Sequence, residues 1–348
     1  MSEFDLILHV GMPRSGAVLR RALSRLRPQL RMHGVAFVGK RQIGGLSHVA
    51  GWDSGPTTQR NQAPSFEREL SDAVAAERGL TSRAPGRRPV QTIVSCDRLL
   101  GTGDLGPADE EQFRPYASRA MAQVITALSA HQVQIVLYTH RQDRLMELSY
   151  LKRIREGRPG AFADEFPFHG RPVLDYLDLI DRLLAVPKVA DVVVRPVELV
   201  DAGQHALVND FLGLVGLENA LDLYAMGIDP WPYPPVYSAR GAQLALVLNP
   251  LMDTPRERRR LRAYLWDNYR ASERYATDLL DRGVRQRILD CYAERNQELF
   301  RRWMPDLPSN SYDDDPSTFA LGNVLGPPRP ARPAVGRVRR AISRGVFR

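Results

Sequence analysis

An α/β fold of three layers, with a central parallel sheet, helices on both of its faces and a helical C-terminal layer, follows from two features of the sequence. Short runs rich in Val and Ile alternate with helical patterns up to about residue 195, and strands alternating with helices imply a parallel sheet covered on both sides. Beyond residue 204 the pattern is helical. The 348 residues suffice for one large α/β domain with insertions, or for two domains. We divide them into an α/β domain over 1–305, a Pro-rich linker over 306–334 and a basic tail over 335–348.

The first strand is Leu6-Ile7-Leu8-His9-Val10, a buried apolar run closed by Gly11. A helix follows over Val18–Leu26, with Leu19, Ala22, Leu23 and Leu26 on one face. Residues 39–64, rich in Gly, Gln, Ser and His without periodicity, predict a long loop, and long loops often carry function. Ser65 is placed to cap a helix reaching Arg78. Val90–Cys96, Val133–Thr139 and Asp191–Arg195 are three further strands. Between them lie helical patterns at Asp109–Ala130, Asp143–Glu156 and Val173–Ala185. Gln204–Val215 is a helix stopped by Gly216. Thr254-Pro255-Arg256-Glu257 reads as a capping box with proline at the first helical position, opening a long charged amphipathic run. In Asp229-Pro-Trp-Pro-Tyr-Pro-Pro-Val-Tyr237 the aromatic residues Trp231, Tyr233 and Tyr237 serve either to pin a long loop or to stack on a ring.

Hydrophobic residues at 43%, charged at 25% and aromatic at 8% exclude collagenous, disordered and disulfide-stapled classes. Cys96 and Cys291 lack metal-site spacing and read as two reduced, buried thiols. With no basic segment followed by a long apolar run at the start, a cytoplasmic location is expected. The uncharged stretch Met121–Thr139 is broken by Gln123, His131, Gln132 and Gln134, and suits a helix, turn and strand better than a membrane span.

The net charge of +8 is unevenly spread. Gly326–Arg348 holds seven arginines and no acid, leaving 41 basic against 40 acidic residues in the body. A neutral body argues against a nucleic-acid groove, so no specific nucleic acid is expected as a partner. Val335, Val338, Ile342 and Val346 form one apolar stripe among Arg337, Arg339, Arg340 and Arg344, the pattern of a basic helix for an anionic membrane surface or a partner. A disordered, solvated tail is the alternative.

Gly11-Met12-Pro13-Arg14-Ser15-Gly16 lies where the first strand feeds a helix, a place where free backbone N–H groups and the helix dipole favour an anion. The two glycines match the start of a nucleotide-hydrolase loop, but Ala17 and Val18 stand where that motif needs Lys and Ser or Thr. An ATP- or GTP-hydrolysing loop is therefore disfavoured. A cation sits inside the turn instead, at Arg14, followed by the Ser15 hydroxyl.

This turn, HVGMPRSGAV, resembles the phosphosulfate-binding loop of bacterial sulfotransferases, and the likeness extends over about residues 4–305. The resemblance implies a P-loop NTPase-like fold and 3′-phosphoadenosine 5′-phosphosulfate (PAPS) as donor co-substrate, without a metal. By resemblance Pro13, Arg14, Ser15, Gly16, Ala17 and Val18 form the cofactor-binding turn, with Arg14 bonding the bridging oxygen and neutralising the leaving phosphate. Ala17 and Val18 replace two hydroxyl residues of the family pattern and remove two donors. Arg141, just after the Val133–Thr139 strand, and Ser149 on the next helix match the family spacing for the 3′-phosphate. Because eight helical residues span about 12 Å, Arg141 must lie in the turn and fold back if both are to touch one phosphate. Val192–Glu198, Asn209–Leu212 and Leu217 extend the likeness weakly; no Arg-Lys-Gly-rich nucleotide segment is present near the C-terminus.

The transfer needs a base for an acceptor hydroxyl or amine. Asp97 follows the Val90–Cys96 strand at the edge where ligands bind parallel sheets, in a Ser-Cys-Asp resembling the family's Ser-Ser-Glu. His48 lies in the long loop with a pKa suited to neutral pH. His33 and His9 are weaker candidates, and His9 is better placed to brace the turn. The acceptor class stays open among small molecules, carbohydrates and lipids. Two other readings are a non-catalytic nucleotide-binding or scaffold protein with a decayed donor loop, and a nucleotide-dependent kinase.

Overall fold

The computed structural model describes residues 4–11, 15–39, 56–82, 91–95, 121–122, 124–128, 132–157, 160, 162, 174–200, 205–218, 220–228, 237–270, 279–309 and 311–312. Five strands, β1 (Leu6–Gly11), β2 (Val35–Gly39), β3 (Gln91–Ser95), β4 (Val133–Thr139) and β5 (Val189–Pro196), form one sheet in the order β2-β3-β1-β4-β5. All four pairings are parallel. The helices are α1 (Ser15–Met32), α2 (Pro56–Ser82), α3 (Gln142–Glu156), α4 (Tyr176–Leu184), α5 (Val197–Val200), α6 (Ala206–Leu214), α7 (Ala239–Leu248), α8 (Pro255–Tyr269), α9 (Arg282–Asp290) and α10 (Ala293–Trp303).

The strand order decides which helix covers which face. From β1 the chain passes outward to β2, then reverses to β3 and continues past β1 to β4 and β5. Right-handed crossovers therefore send α1 to one face and the next connections to the other. Side chains follow: Ile7, Phe37, Ile93 and Val136 pack with Leu19, Leu23 and Leu26 of α1 and with Phe211 of α6. Leu8, Val38, Val94 and Ile135 pack on the opposite face with Leu70 and Val74 of α2, Leu145 of α3 and the C-terminal helices. Alternate residues of one strand thus serve two separate apolar cores, the period-two rule at work.

Four expectations are corrected. Val35–Gly39 is a strand that the sequence reading passed over; five successive buried residues carry no alternation to mark it. The helix expected to begin at Ser65 begins at Pro56 and runs to Ser82, proline being well suited to a first helical position. The first helix extends to Met32 through Pro28. Cys291 is exposed, not buried, because it follows the last residue of α9 on its solvent side. Cys96 lies outside the described residues.

Clamps at the edges hold the layers. Glu77 of α2, fully buried, accepts from Arg31 at 2.6 and 2.8 Å and from Arg27, tying α2 to α1. Its carboxyl is held below the usual range: burial opposes ionisation, but the Arg31 and Arg27 guanidiniums outweigh it. The capping box at Thr254 is formed as expected, with Glu257 N–H donating to Thr254 Oγ1 at 3.2 Å and Glu257 Oε2 accepting from Thr254 N–H at 2.9 Å. Tyr237 is buried and joins the core, whereas Trp231 and Tyr233 lie outside the described residues. Among the described residues no helix is long and apolar enough to cross a membrane.

Gly241 in α7 marks a close approach. A Cβ there would lie 2.7 Å from the carbonyl oxygen and 2.8 Å from the Cβ of Tyr269 in α8. Gly241→Ala should therefore destabilise by about 1–3 kcal/mol through overpacking, although alanine favours a helix interior by about 1 kcal/mol. Urea unfolding checks this, and a stabilised variant would contradict it.

Candidate functional site

Gly11 ends β1 at the carboxyl edge of the sheet and pairs with Tyr138 of β4, while His9 pairs with Ser95 of β3. The next three residues, including Pro13 and Arg14, lie outside the described set, as do His48 and Asp97. Ser15, Gly16, Ala17 and Val18 form the first turn of α1. The N–H groups of Ser15, Gly16 and Ala17 have no carbonyl partner within the helix, and the turn carries no acidic residue to offset the dipole. Gly16 and Val18 are buried, and Ala17 is half-buried.

His9 is fully buried; its Nδ1 lies 2.8 Å from Ser95 Oγ, and its ring meets Phe211 and Tyr138 edge-on at 5.7 and 6.0 Å. These contacts tie β1 to β3, β4 and α6. His33, at the other end of the sheet, lies in the turn between α1 and β2 and is remote from the carboxyl edge.

Arg141 lies in the turn between β4 and α3, with φ −58° and ψ 134°, and is the N-cap residue of α3. Its guanidinium is buried and forks onto Asp143, with Nε donating to Oδ1 at 2.7 Å and Nη2 to Oδ2 at 3.0 Å. Ser149 is also buried, two turns further along the same helix. Turn and helix thus separate the two residues along the α3 axis by roughly 12 Å of helical rise.

Around Arg141 the sequence reading had missed a whole set of charged groups. Arg285 of α9 donates to Asp143 Oδ2 at 3.0 Å and to Glu147 Oε1 at 2.8 Å. Glu147 also accepts from Leu279 N–H at 2.9 Å and from Arg144. Glu198, after β5, accepts the Arg141 backbone N–H at 3.1 Å and lies 3.3 Å from His140 Nδ1, while its other oxygen is buried without a hydrogen-bond partner. Three guanidiniums, Arg141, Arg144 and Arg285, therefore balance three carboxylates, Asp143, Glu147 and Glu198, in a buried cluster behind the ends of β4 and β5. Burial of Asp143 and Glu147 is tolerable because charge and hydrogen bonds are satisfied together at these two carboxylates.

Two phenols line the same region. Tyr176 donates to the His140 carbonyl at 2.7 Å, and the Tyr312 hydroxyl lies 3.0 Å from Thr139 Oγ1. Burial and the nearby Glu198 charge push both phenols well above the ordinary tyrosine range, so both stay neutral. Burial likewise opposes the charge on Asp143, but Arg141 and Arg285 hold its carboxyl below the usual range.

A signal for the cluster does exist in the sequence. Residues 142–151 are buried on every side of α3, so its charged residues had no solvent face to occupy. Lack of a clean apolar stripe among Gln142, Asp143, Arg144 and Glu147 is the trace this leaves. Among the described residues no group of three His, Cys, Asp or Glu side chains is arranged for a metal ion. No protein-family model, curated protein or solved structure matches the chain.

Proposed function

We propose that the protein is a sulfotransferase-like enzyme with a P-loop NTPase-like fold, which moves a sulfuryl group from PAPS to a hydroxyl or amine acceptor. One observation carries the reading: Gly11, four residues before the start of α1 at Ser15, and the Thr139–Arg141 turn stand at the carboxyl ends of adjacent parallel strands. The direction of the chain reverses around β1, and ligands of open α/β sheets bind in the crevice at such a reversal. An anion-seeking helix start and a forked cation therefore share one edge, as a nucleotide with phosphates at two positions requires.

On this reading the backbone of 14–18 holds the 5′-phosphosulfate, and Arg14 neutralises the phosphate as the bond from its bridging oxygen to sulfur breaks. The acceptor oxygen or nitrogen forms the new bond to sulfur, with its proton passing to His48 or Asp97 as base. Alignment and charge stabilisation carry the rate, as in phosphoryl transfer. The basic segment 335–348 is read as the arm that meets an anionic membrane surface or partner.

Ala17 and Val18, in place of two hydroxyl donors, favour a second reading, a nucleotide-binding scaffold without transfer. Thermal-shift titration with adenosine 3′,5′-bisphosphate, and separately with ATP and magnesium, separates the possibilities. At 100 times its dissociation constant the bisphosphate should stabilise by about 2.7 kcal/mol, need no magnesium, and lose the effect in Arg14→Ala. A response to magnesium-ATP alone would indicate a kinase. No response to either would reject the donor site, whereas a bisphosphate response without sulfuryl transfer would indicate the scaffold.

A further inference from the structure

We infer that Arg285, on the C-terminal helical layer, is a positioning residue for Arg141 and tunes its hold on a phosphate dianion; the inference rests on Arg141 serving the 3′-phosphate. Asp143 is the shared element. Its Oδ2 accepts from Arg141 Nη2 and from Arg285 Nη1, each at 3.0 Å, while Oδ1 takes Arg141 Nε at 2.7 Å. The two bonds from Arg141 fix the plane of its guanidinium. The bond from Arg285 draws part of the carboxylate charge away from Arg141, leaving it more positive than a simple Arg–Asp pair would be.

Arg285 acts on Arg141 through the carboxylate they share, Asp143. Its fork spans two carboxylates, Asp143 and Glu147, and its side chain is 5% exposed. Its position is set locally: Asp281 caps α9 by accepting from Val284 N–H at 2.8 Å, placing Arg285 just beyond the first turn. Glu147 keeps Arg144 and the Leu279 N–H if Arg285 is lost. Asp143 would then have only Arg141 among its partners in this ion-pair chain, and an incoming phosphate would compete with a fully committed carboxylate. Docking of α9 thus sets the anion affinity of a turn 142 to 144 residues earlier in the chain.

The test is calorimetric titration of the full chain with adenosine 3′,5′-bisphosphate and with adenosine 5′-phosphate, for wild type, Arg285→Met and Arg285→Lys. Wild type should prefer the bisphosphate. Arg285→Met should weaken bisphosphate binding about tenfold, equivalent to roughly 1.4 kcal/mol, and leave the 5′-phosphate unchanged. Arg285→Lys, charged but unable to fork across two carboxylates, should fall between. Equal weakening of both ligands, or an unchanged preference, overturns the inference. If Arg285→Met does not fold by circular dichroism, the Arg285→Lys preference decides: a wild-type ratio overturns it. Wild type that binds neither nucleotide overturns the reading of the site itself, a failure visible before any variant is compared.

Discussion

Asp143→Ala is expected to destabilise the protein by about 3–5 kcal/mol at neutral pH, the usual effect of stripping one partner from a buried ion pair. The carboxylate is fully buried and receives three hydrogen bonds, two from Arg141 and one from Arg285. Alanine removes the charge and leaves both guanidiniums facing each other away from water. Coulomb repulsion then adds to the lost hydrogen bonds. The sign of the pH dependence follows from the depressed carboxyl: its stabilisation is complete above the unfolded-state value of about 3.9 and fades as pH falls through the lower folded-state value. Urea unfolding of both proteins at pH 7, 5 and 3.5 should show a constant gap at the first two and a narrower one at the third. A gap under about 1 kcal/mol at pH 7 would mean that the surrounding water or backbone replaces the carboxylate, and would remove the electrostatic account of the cluster.

Phe211→Ala should cost about 3–5 kcal/mol for a different reason, the cavity left under the sheet. Phe211 of α6 is fully buried in the core on the α1 face, with its ring edge-on to His9. That core joins α1, α6 and one side of β1, so β1 loses support on the side where His9 packs. Truncating the exposed Val247, 51% accessible, should change stability by no more than about 0.5 kcal/mol. The contrast, measured by urea unfolding of the two variants, separates cavity formation from a general response to losing apolar atoms. Similar effects at the two sites would refute it.

The passage from β1 to α1 was legible because its signals are local. A strand, a glycine-bounded turn and a helix occupy consecutive residues, and dihedral preference with apolar periodicity suffices to read them. Local chemistry likewise marked the Thr254 capping box and the helix stop at Gly216, whose φ is +72°. The same logic failed at Val35–Gly39, where burial on both faces erases the alternation that identifies a strand.

Arg141 could be read as a cation after a strand, but not as one already gripped by Asp143, nor as one whose grip is shared with Arg285. Sequence alone determined that strands alternate with helices, that a helix follows the first strand and its glycine, and that a basic residue follows the Val133–Thr139 strand. Tertiary structure decided that β4 lies beside β1, which brings those features to one edge, and that α9 docks against α3 to complete the buried ion pairs. Periodicity and capping act over a few residues, whereas strand order and charge pairing depend on which surfaces the folded chain buries together.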